Sequence, residues 1–355
     1  MAAPPHGRMT EAVPIPSAAA PAWPAASVAQ ADVSVALCTR NGARYLPAQV
    51  ASICTQDLLP REIVLSDDDS SDDSVAVVER TLAEHGLAAR IPLTIMRNRP
   101  PLGVTRNFEQ AIRACRGALI ALCDQDDVWH AGRLRRMVAE FERRPELLLL
   151  HSDARLVDGE LKPLGQTLLQ ALETRPGELA DIAAGRAFAA LMHRNLVTGA
   201  TTMLRRKLLD TALPISPLWV HDEWLATVGA AIGRIDLLAE PLMDYRQHGN
   251  NQIGAQRMTL RQKIDKALGE RGDKYAHRVR RSEALLAFLQ GLGPRVAGET
   301  LALAQGKLDH FRFRAGLPRW RPARVLPVAL QAARGRYARF DRGLPAILQD
   351  LMERG

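Results

Sequence analysis

Residues 118–129 read ALIALCDQDDVW, in which six apolar residues pass directly into three carboxylates within four positions. A short continuous apolar run predicts a strand that is buried on both faces, as in a parallel sheet. Asp124, Asp126 and Asp127 repel one another, and a folded chain tolerates that arrangement when a cation binds there. A solvated acidic turn or a helix N-terminal cap is the alternative.

Apolar strands and amphipathic helices alternate on both sides of this stretch. Strands are predicted at 33–38, 62–66, 92–97, 118–123 and 147–153, and helices at 46–55, 75–85, 103–116 and 132–143. This order predicts an α/β fold with a Rossmann-like mixed, mostly parallel sheet flanked by helices. Ligands bind beyond the carboxyl ends of the strands in such sheets, and the acidic clusters DDDSSDDS and DQDD both lie at such ends.

Beyond residue 180 the alternation loosens. We expect one helix at 180–193, a strand within NLVTGATTMLRR, a helix beginning in HDEW and a last strand running through YRQHGNN to about residue 251. The remainder lacks strand patterns and is predicted to be helical.

The composition divides the chain into three regions. Residues 1–31 are rich in Ala and Pro and are predicted to be a disordered tail. Residues 32–252 form the α/β domain, and residues 253–355 form a basic helical C-terminal region. The net charge of +8 arises near the C-terminus, because residues 251–355 carry 21 Lys and Arg against 9 Asp and Glu.

The cysteines and the hydropathy pattern bear on the cellular location. The four cysteines form no CxxC pair, which predicts a reduced, cytoplasmic protein without disulfides. The N-terminus has no signal-peptide pattern, and no uninterrupted apolar run is long enough to span a membrane.

Seven motifs in this order resemble those of family 2 glycosyltransferases. They are VSVALCTRNGARYLPAQVASI, EIVLSDDDSSDDS, PLGVTRNFEQAI, GALIALCDQDDVW, VTGATTMLRR, HDEW and YRQHGNN. The resemblance covers residues 32–252 and implies a GT-A fold and an inverting, metal-dependent enzyme that uses nucleotide sugars. CDQDDVW, HDEW and YRQHGNN are most similar to bacterial members described as rhamnosyltransferases.

The resemblance implies a set of residues near the nucleotide, which includes a carboxylate that accepts a hydrogen bond from the pyrimidine N3–H. This carboxylate is Asp67 or Asp68. Asp69 stands where the family usually has glycine, and because Asp enters the left-handed backbone region more easily than most residues, we expect the turn to survive. The implied nucleotide-binding set is Thr39, Arg40, Asn41, Asp67, Asp68, Arg106, Asn107 and Asp124.

The resemblance also implies the catalytic and metal-binding residues. Asp126 would bind Mg²⁺ or Mn²⁺, which prefer oxygen ligands, and His248 would be a further ligand of the metal or diphosphate. Arg246 would neutralise the leaving diphosphate. Asp222 would be the general base, although Glu223 is an alternative base, and Asp222 could instead cap a helix.

The predicted activity is the transfer of a sugar to a growing bacterial surface glycan or a lipid-linked acceptor. L-Rhamnose from dTDP-rhamnose is the first candidate donor, and a UDP-hexose or UDP-N-acetylhexosamine is the second. A sugar-nucleotide nucleotidyltransferase is disfavoured because CTRNGARY has one glycine and no lysine. A non-catalytic sugar-nucleotide binding protein is disfavoured because Asp124, Asp126 and Asp222 are all present.

The C-terminal stretch WRPARVLPVALQAARGRYARF alternates arginines with apolar and aromatic residues. Basic amphipathic helices can lie on anionic membrane surfaces, so we expect peripheral contact with the inner membrane. A helical subdomain with an arginine-rich solvent face, or a dimer contact, is the alternative. Nucleic-acid binding is disfavoured because the segment has no recognisable nucleic-acid module and few aromatic residues.

Overall fold

The computed structural model describes residues 28–248, 271 and 273–354. Within this part of the chain nine strands form one sheet. They are β1 (Val33–Thr39), β2 (Glu62–Asp67), β3 (Leu93–Arg97), β4 (Leu119–Cys123), β5 (Val128–Trp129), β6 (Leu147–Val157), β7 (Pro163–Thr167), β8 (Thr202–Arg205) and β9 (Arg234–Arg246).

Helices cover this sheet and build the C-terminal region. In the α/β part they are α1 (Leu46–Cys54), α2 (Ser74–Glu84), α3 (Val104–Ala114), α4 (Arg133–Arg143), α5 (Leu168–Ala171), α6 (Pro176–Ala183), α7 (Ala187–His193), α8 (Leu209–Ala212) and α9 (His221–Ile232). In the C-terminal region they are α10 (Lys274–Gly291), α11 (Gly298–Ala315), α12 (Val325–Ala333), α13 (Arg336–Phe340) and α14 (Leu344–Met352).

Some sequence predictions lie outside the described residues. These are the tail at 1–27, the end of the YRQHGNN motif at 249–251, and the start of the C-terminal region at 253–270.

The strand order is β3-β2-β1-β4-β8-β6-β9-β5, with β7 paired to β6. The strands β3, β2, β1 and β4 are parallel to one another. The next strand, β8, runs antiparallel to both β4 and β6, and β6 and β9 are parallel. The predicted mixed, mostly parallel sheet is confirmed. Its parallel half brings the carboxyl ends of β1, β2 and β4 together at one edge, where ligands bind in this class of sheet.

The predicted single helix at 180–193 is wrong, because two helices occupy this stretch. Gly185 has a φ of +80° and separates α6 from α7. The N–H of Arg186 donates to the carbonyl of Asp181, and the N–H of Gly185 donates to the carbonyl of Ile182. This is the hydrogen-bond pattern of a Schellman motif, which a glycine in the left-handed region stabilises at a helix end.

The hydrophobic core lies on both faces of the sheet. Alternate residues of β1 belong to different clusters, with Ala36 and Cys38 on one face and Val35 and Leu37 on the other. All seven residues of β1 are buried. A strand that is covered on both faces appears in the sequence as a nearly continuous apolar run, and such a run predicted this strand.

The C-terminal helices extend the core of one face. Leu285, Leu289 and Leu308 belong to the same hydrophobic cluster as Leu191 of α7 and Trp224 of α9. The helical region therefore packs directly on the α/β domain. Among the described helices, none combines the length and the apolar character needed to cross a membrane.

Part of the basic excess of the C-terminal region is internal. The Arg314 guanidinium is fully buried, and its Nε donates to Oδ2 of Asp350 at 2.7 Å. The hydroxyls of Tyr275 and Tyr337 also donate to Asp350, at 3.0 Å and 2.7 Å. Buried charges are tolerated when they are paired and hydrogen-bonded in this way.

Candidate active site

A pocket of about 500 Å³ opens at the carboxyl ends of β1 and β4 and at the start of α9. Predicted site residues that line it are Thr39, Arg40, Asp68, Asn107, Asp124, Asp126 and Asp222. Predicted site residues outside its lining are Asn41, Asp67, Arg106, Arg246 and His248. The structure thus brings seven of the predicted residues to one cavity, although they come from five separate stretches of the chain.

Gln125 joins the loop after β1 to the DQDD loop, and sequence reasoning missed it. Its Oε1 accepts hydrogen bonds from Oγ1 of Thr39 at 2.7 Å and from the backbone N–H of Arg40 at 2.8 Å. A Cβ on Gly42 would lie 2.4 Å from the same oxygen, so only glycine allows this approach. The sequence feature that could have pointed to Gln125 is its position between the candidate ligands Asp124 and Asp126.

Asn41 connects the loop after β1 to the loop after β2 and is not part of the pocket lining. Its Oδ1 accepts a hydrogen bond of 2.8 Å from the N–H of Ser71, and its own N–H donates to Oγ of Ser70. Both Asn41 and Asp69 have positive φ, of 51° and 64°. The expectation that Asp69 keeps the turn usually made by glycine is confirmed.

The two aspartates at the end of β2 have different surroundings. Asp68 accepts hydrogen bonds from the backbone N–H groups of Leu102 and Gly103, at 2.7 Å and 2.9 Å, and lines the pocket. Oδ1 of Asp67 is buried and has no hydrogen-bond partner among the described residues. A buried acceptor without a partner is costly, so a ligand N–H would find a favourable position at Asp67.

Arg106 and Asn107 both lie near the start of α3 but differ in their contacts. Arg106 is half exposed, and its Nη1 lies 3.4 Å from Glu109. Asn107 is buried, donates to the carbonyl of Ser66 at 3.0 Å and accepts a 2.6 Å hydrogen bond from its hydroxyl. Asn107 therefore fixes α3 to β2 where the pocket begins.

The aspartates of the opening stretch crowd negative charge into the pocket. Burial, together with the carboxylates of Asp126 and Asp222, raises the pKa of Asp124 to about 8. Burial, together with the carboxylates of Asp126 and Asp124, also raises the pKa of Asp127, whose Oδ1 accepts a 3.0 Å hydrogen bond from the N–H of Arg246. The charge repulsion expected from the sequence is therefore present in the folded site.

His248 meets Asp126 from the far end of β9. Its Nε2 lies 2.8 Å from Oδ2 of Asp126, and its ring stacks on Tyr45 with a centroid separation of 4.7 Å. The resemblance assigned both Asp126 and His248 to the metal, whereas no sequence signal pointed to Tyr45. A carboxylate and an imidazole held together are a donor set that suits a divalent cation.

The buried side chain of Arg246 lies against the DQDD loop. Its Nε donates to the carbonyl of Asp126 at 2.6 Å, and its Nη1 donates to the carbonyl of Gly159 at 2.5 Å. Its guanidinium also lies 4.9 Å from the centre of the Tyr45 ring. These contacts position the loop that carries Asp126.

Asp222 lies in the first turn of α9 with both carboxylate oxygens oriented by backbone groups. Oδ2 accepts a 2.8 Å hydrogen bond from the N–H of Gly199, and Oδ1 accepts one of 2.7 Å from the N–H of Glu223. Val220 occupies the N-cap position, and Asp222, two residues later, satisfies a backbone donor of the first helical turn through its bond with Glu223.

The residues on either side of Asp222, His221 and Glu223, make different contacts from those of Asp222. Oε2 of Glu223 lies 2.7 Å from Nη2 of Arg281 on α10, so this carboxylate forms an ion pair with the C-terminal region. His221 stacks on Phe108 at 4.0 Å, and neither of its ring nitrogens has a hydrogen-bond partner among the described residues. Burial lowers the pKa of His221 and keeps the ring neutral.

No group of three or more His, Cys, Asp or Glu side chains in the described ranges is already arranged as a metal site. The available donors are Asp126 with His248, and Asp124 beside them. Their chemistry fits a hard divalent cation, whose charge would offset the burial and the neighbouring carboxylates that together raise the pKa of Asp124.

Comparison with known proteins gives a family match. The family model described as "Glycosyl transferase family 2" matches residues 34–212, which is half of the chain. An uncharacterized glycosyltransferase of Nostoc sp. is 29% identical over 244 residues, which cover 67% of this chain and 71% of that protein.

Two further proteins are similar to this chain at lower sequence identity. An uncharacterized protein of Mycobacterium tuberculosis is 25% identical over 199 residues, 54% of this chain and 51% of that protein, so the chain spans about half of that relative. The structure of S. aureus TarS residues 1–349 in complex with UDP-GlcNAc is 15% identical, with 90% of both chains covered and a TM-score of 0.49.

Proposed function

Since this chain belongs to glycosyl transferase family 2 and is a glycosyltransferase, we propose that it transfers a sugar from a nucleotide-sugar donor with inversion at C1. The observation that carries this proposal is the position of Asp222, which lines the same pocket as Asp124 and Asp126 and is oriented by Gly199. A base and a charge-binding site that face one cavity are what a direct displacement needs.

In this reaction Asp222 accepts the proton of the acceptor hydroxyl. The hydroxyl oxygen forms the new bond to C1 while the bond from C1 to the diphosphate oxygen breaks, and the nucleoside diphosphate leaves with the electron pair. General bases typically contribute about 10²–10⁴-fold to such steps. Glu223 is the weaker candidate because Arg281 already pairs with its carboxylate.

We propose Mg²⁺ or Mn²⁺ as the cofactor, held by Asp126 and His248 with Asp124 close to the ribose. When bound, the ion would offset the negative charge of the diphosphate. Arg246 is proposed as a positioning residue, because its contacts with the carbonyls of Asp126 and Gly159 hold the metal-binding loop in place.

The nucleotide would bind along the ends of β1 and β2. Thr39, Arg40 and Asp68 line the pocket there. Asp68, or its neighbour Asp67, whose buried Oδ1 has no partner among the described residues, would accept the pyrimidine N3–H. Asn107 would support this wall from α3. Arg106 and Asn41, which lie outside the lining, would act on the nucleotide through the loops that they border.

The first candidate donor is dTDP-L-rhamnose, and a UDP-hexose or UDP-N-acetylhexosamine is the second. The proposed acceptor is a bacterial surface glycan or a lipid-linked glycan on the cytoplasmic side of the inner membrane. Both proposals derive from the motifs CDQDDVW, HDEW and YRQHGNN, of which the last extends into residues beyond the described range.

We also propose that the C-terminal helices contact an anionic membrane surface. Seven of the nine large apolar side chains that are exposed among the described residues lie between positions 320 and 352. Trp320 is 70% exposed, Leu326 69% and Leu344 65%. Apolar residues exposed in one region of a surface mark an interaction site.

The charges of this surface favour an anionic lipid partner. The exposed arginines of the segment are Arg319, Arg321, Arg334, Arg339, Arg342 and Arg354. Its three acidic residues are not exposed, since Asp350 and Glu353 are buried and Asp341 is mostly covered. Exposed arginines beside exposed apolar residues are typical of helices that lie in a membrane interface.

A thermal-shift screen of nucleoside diphosphates and nucleotide sugars, with Mn²⁺ or with a chelator, would test the proposed activity. We expect a nucleotide to raise the melting temperature and the metal to enlarge the effect. A preference for dTDP over UDP would support rhamnose, and the reverse would support the UDP donors. The absence of any response to nucleotides would contradict the proposed function.

A further inference from the structure

A second cleft, of about 200 Å³, lies between the α/β domain and the C-terminal helices. Residues from the end of α7, the start of α9, and α10 and α11 form its walls. The cleft shares Asn195 and Glu223 with the active-site pocket, so the two cavities meet at these residues. The sugar transfer proposed above makes no use of this cleft.

The lining of this cleft is strongly cationic. It contains Arg194, Arg278, Arg281, Lys307 and Arg342, against only two carboxylates, Glu223 and Asp341. Among these cations Arg194 is committed to Glu178 outside the cleft, with Nη2 at 2.8 Å from the carboxylate. Nη1 of Arg278 lies 3.3 Å from the carboxylate of Asp341. The four remaining cations of the lining still carry more positive charge than its two carboxylates neutralise.

Arg281 has hydrogen-bonding capacity that the protein does not use. Its guanidinium lies over the Trp219 ring at 4.1 Å, and Nη2 lies 2.7 Å from Glu223. Its Nε is buried and has no hydrogen-bond partner within the described ranges. An anion in the cleft would satisfy this donor, which is costly to leave unpaired.

Two further cations complete the cleft. The Nζ of Lys307 donates to the carbonyls of Met192 and Phe340, at 2.6 Å and 2.7 Å, which leaves one of its three N–H groups for a ligand. Arg342 is exposed at the edge of the cleft, and its side chain forms no ion pair with the described residues.

We propose that this cleft binds a phosphate group of the acceptor, whose hydroxyl reaches Asp222 through the opening at Asn195 and Glu223. This role rests on the glycosyltransferase activity proposed above, since it places the acceptor beside the donor pocket. Arginine binds phosphate through paired, charge-assisted hydrogen bonds, and Arg281 and Arg342 supply such groups. A phosphate monoester carries nearly two negative charges at neutral pH, which suits the excess of positive charge.

Glu223 acquires a separate role in this arrangement. Its ion pair with Arg281 holds the carboxylate at the junction of the two cavities and orients the guanidinium toward the cleft. Glu223 is therefore a positioning residue for the acceptor site, whereas Asp222, one residue earlier, faces the donor.

Calorimetric titration of inorganic phosphate into the full chain would test this site. The protein is first saturated with the nucleotide that stabilises it most, so that the donor pocket is filled, and ionic strength is held constant. We expect Arg342→Gln to weaken phosphate binding at least about tenfold, as expected for the loss of one charge-assisted hydrogen bond. Arg334→Gln, an exposed arginine outside the cleft, should leave phosphate binding unchanged.

A second variant guards against a folding defect. Arg281→Gln combined with Glu223→Gln removes both members of the ion pair and should also weaken phosphate binding while nucleotide binding is retained. Phosphate binding that is absent from the wild type, or equal in the wild type and both variants, would overturn the phosphate site. If no nucleotide binds, the proposed function fails, and the comparison of Arg342→Gln with Arg334→Gln without nucleotide still decides the cleft.

Discussion

Oδ2 of Asp222 accepts a 2.8 Å hydrogen bond from the backbone N–H of Gly199, 23 residues earlier in the chain. The bond links the first turn of α9 to the short turn at Gly199–Thr201 that precedes β8. Because Oδ1 is also bonded, to the N–H of Glu223, the carboxylate has a single orientation at the wall of the pocket. A carboxylate held in this way needs no rearrangement to act as the proposed base.

Asp222→Asn should bind the donor normally and lose transfer. The amide keeps the size of the side chain but cannot accept the proton of the acceptor, so we expect turnover to fall about 10²–10⁴-fold. Glu223→Gln is the matched variant and should lose less activity. Calorimetry and product formation measure the two effects, and near-normal transfer by Asp222→Asn with loss in Glu223→Gln would reverse the base assignment.

Gly199→Ala should reduce turnover more than it reduces stability. A Cβ at this position would lie 2.9 Å from Nε2 of His221, which cannot easily move because it stacks on Phe108. The shift would disturb the hydrogen bond to Asp222. Gly177→Ala is the control, because a Cβ there meets no atom within 4 Å, and equal turnover in the two variants would count against this orienting role.

Asp126→Ala should abolish the contribution of Mn²⁺ to nucleotide binding. The variant removes the carboxylate that lies 2.8 Å from His248, and with it the donor pair proposed for the metal. Calorimetry with nucleotide in the presence and absence of Mn²⁺ measures this contribution. Asp210→Ala, at an exposed aspartate outside the pocket, is the control, and an unchanged metal effect in Asp126→Ala would refute the assignment.

Acidification should destabilise the protein partly through His310. Burial, with a smaller effect of the Arg314 charge, lowers the pKa of His310 from 6.5 to about 3. Between these values the unfolded chain binds more protons than the folded chain, so the free energy of unfolding falls as the pH falls below 6.5. The contribution at pH 4.5 is on the order of 3 kcal/mol.

His310→Leu removes this titration and should flatten the pH dependence of denaturant unfolding between pH 7 and pH 4.5. Other buried groups keep their contributions, so the comparison rests on the difference between the two pH profiles. Parallel profiles for the variant and the wild type would show that His310 does not couple to folding in this range.

Leu326→Glu combined with Leu344→Glu should weaken binding to vesicles that contain anionic phosphatidylglycerol. Both side chains are among the most exposed apolar groups of the C-terminal helices, and the new carboxylates oppose the surrounding arginines. Leu164→Glu is the control, since Leu164 is 46% exposed but belongs to the α/β domain. Flotation measures the effect, and equal flotation of all variants would exclude this face.

The sequence predicted the parallel half of the sheet because its strands are buried on both faces and appear as uninterrupted apolar runs. The break between α6 and α7 escaped prediction, since the residues on both sides of Gly185 continue a helical pattern and only the positive φ of Gly185 ends the first helix. The long strand β6 was also predicted to end early, at 153, because its last residues alternate polar and apolar.

Some site residues were likewise predicted from the sequence, and others were not. Asp124, Asp126 and Asp222 line one pocket, as motifs at strand and helix ends suggest. Gln125, Tyr45 and the pairing of Glu223 with Arg281 were not predicted, because their partners come from distant parts of the chain. No local pattern encodes such a pairing.

By itself, the sequence determined the strands and helices of the α/β half, the acidic strand end in ALIALCDQDDVW and the concentration of arginine toward the C-terminus. These are local properties, set by the residues' own periodicity and charge. Only the tertiary structure decided that Gly199 orients Asp222, that His248 meets Asp126 across 122 residues and that Arg281 draws Glu223 toward a second cleft. Those relationships depend on how sheet and helices pack, and packing joins residues that the chain keeps far apart.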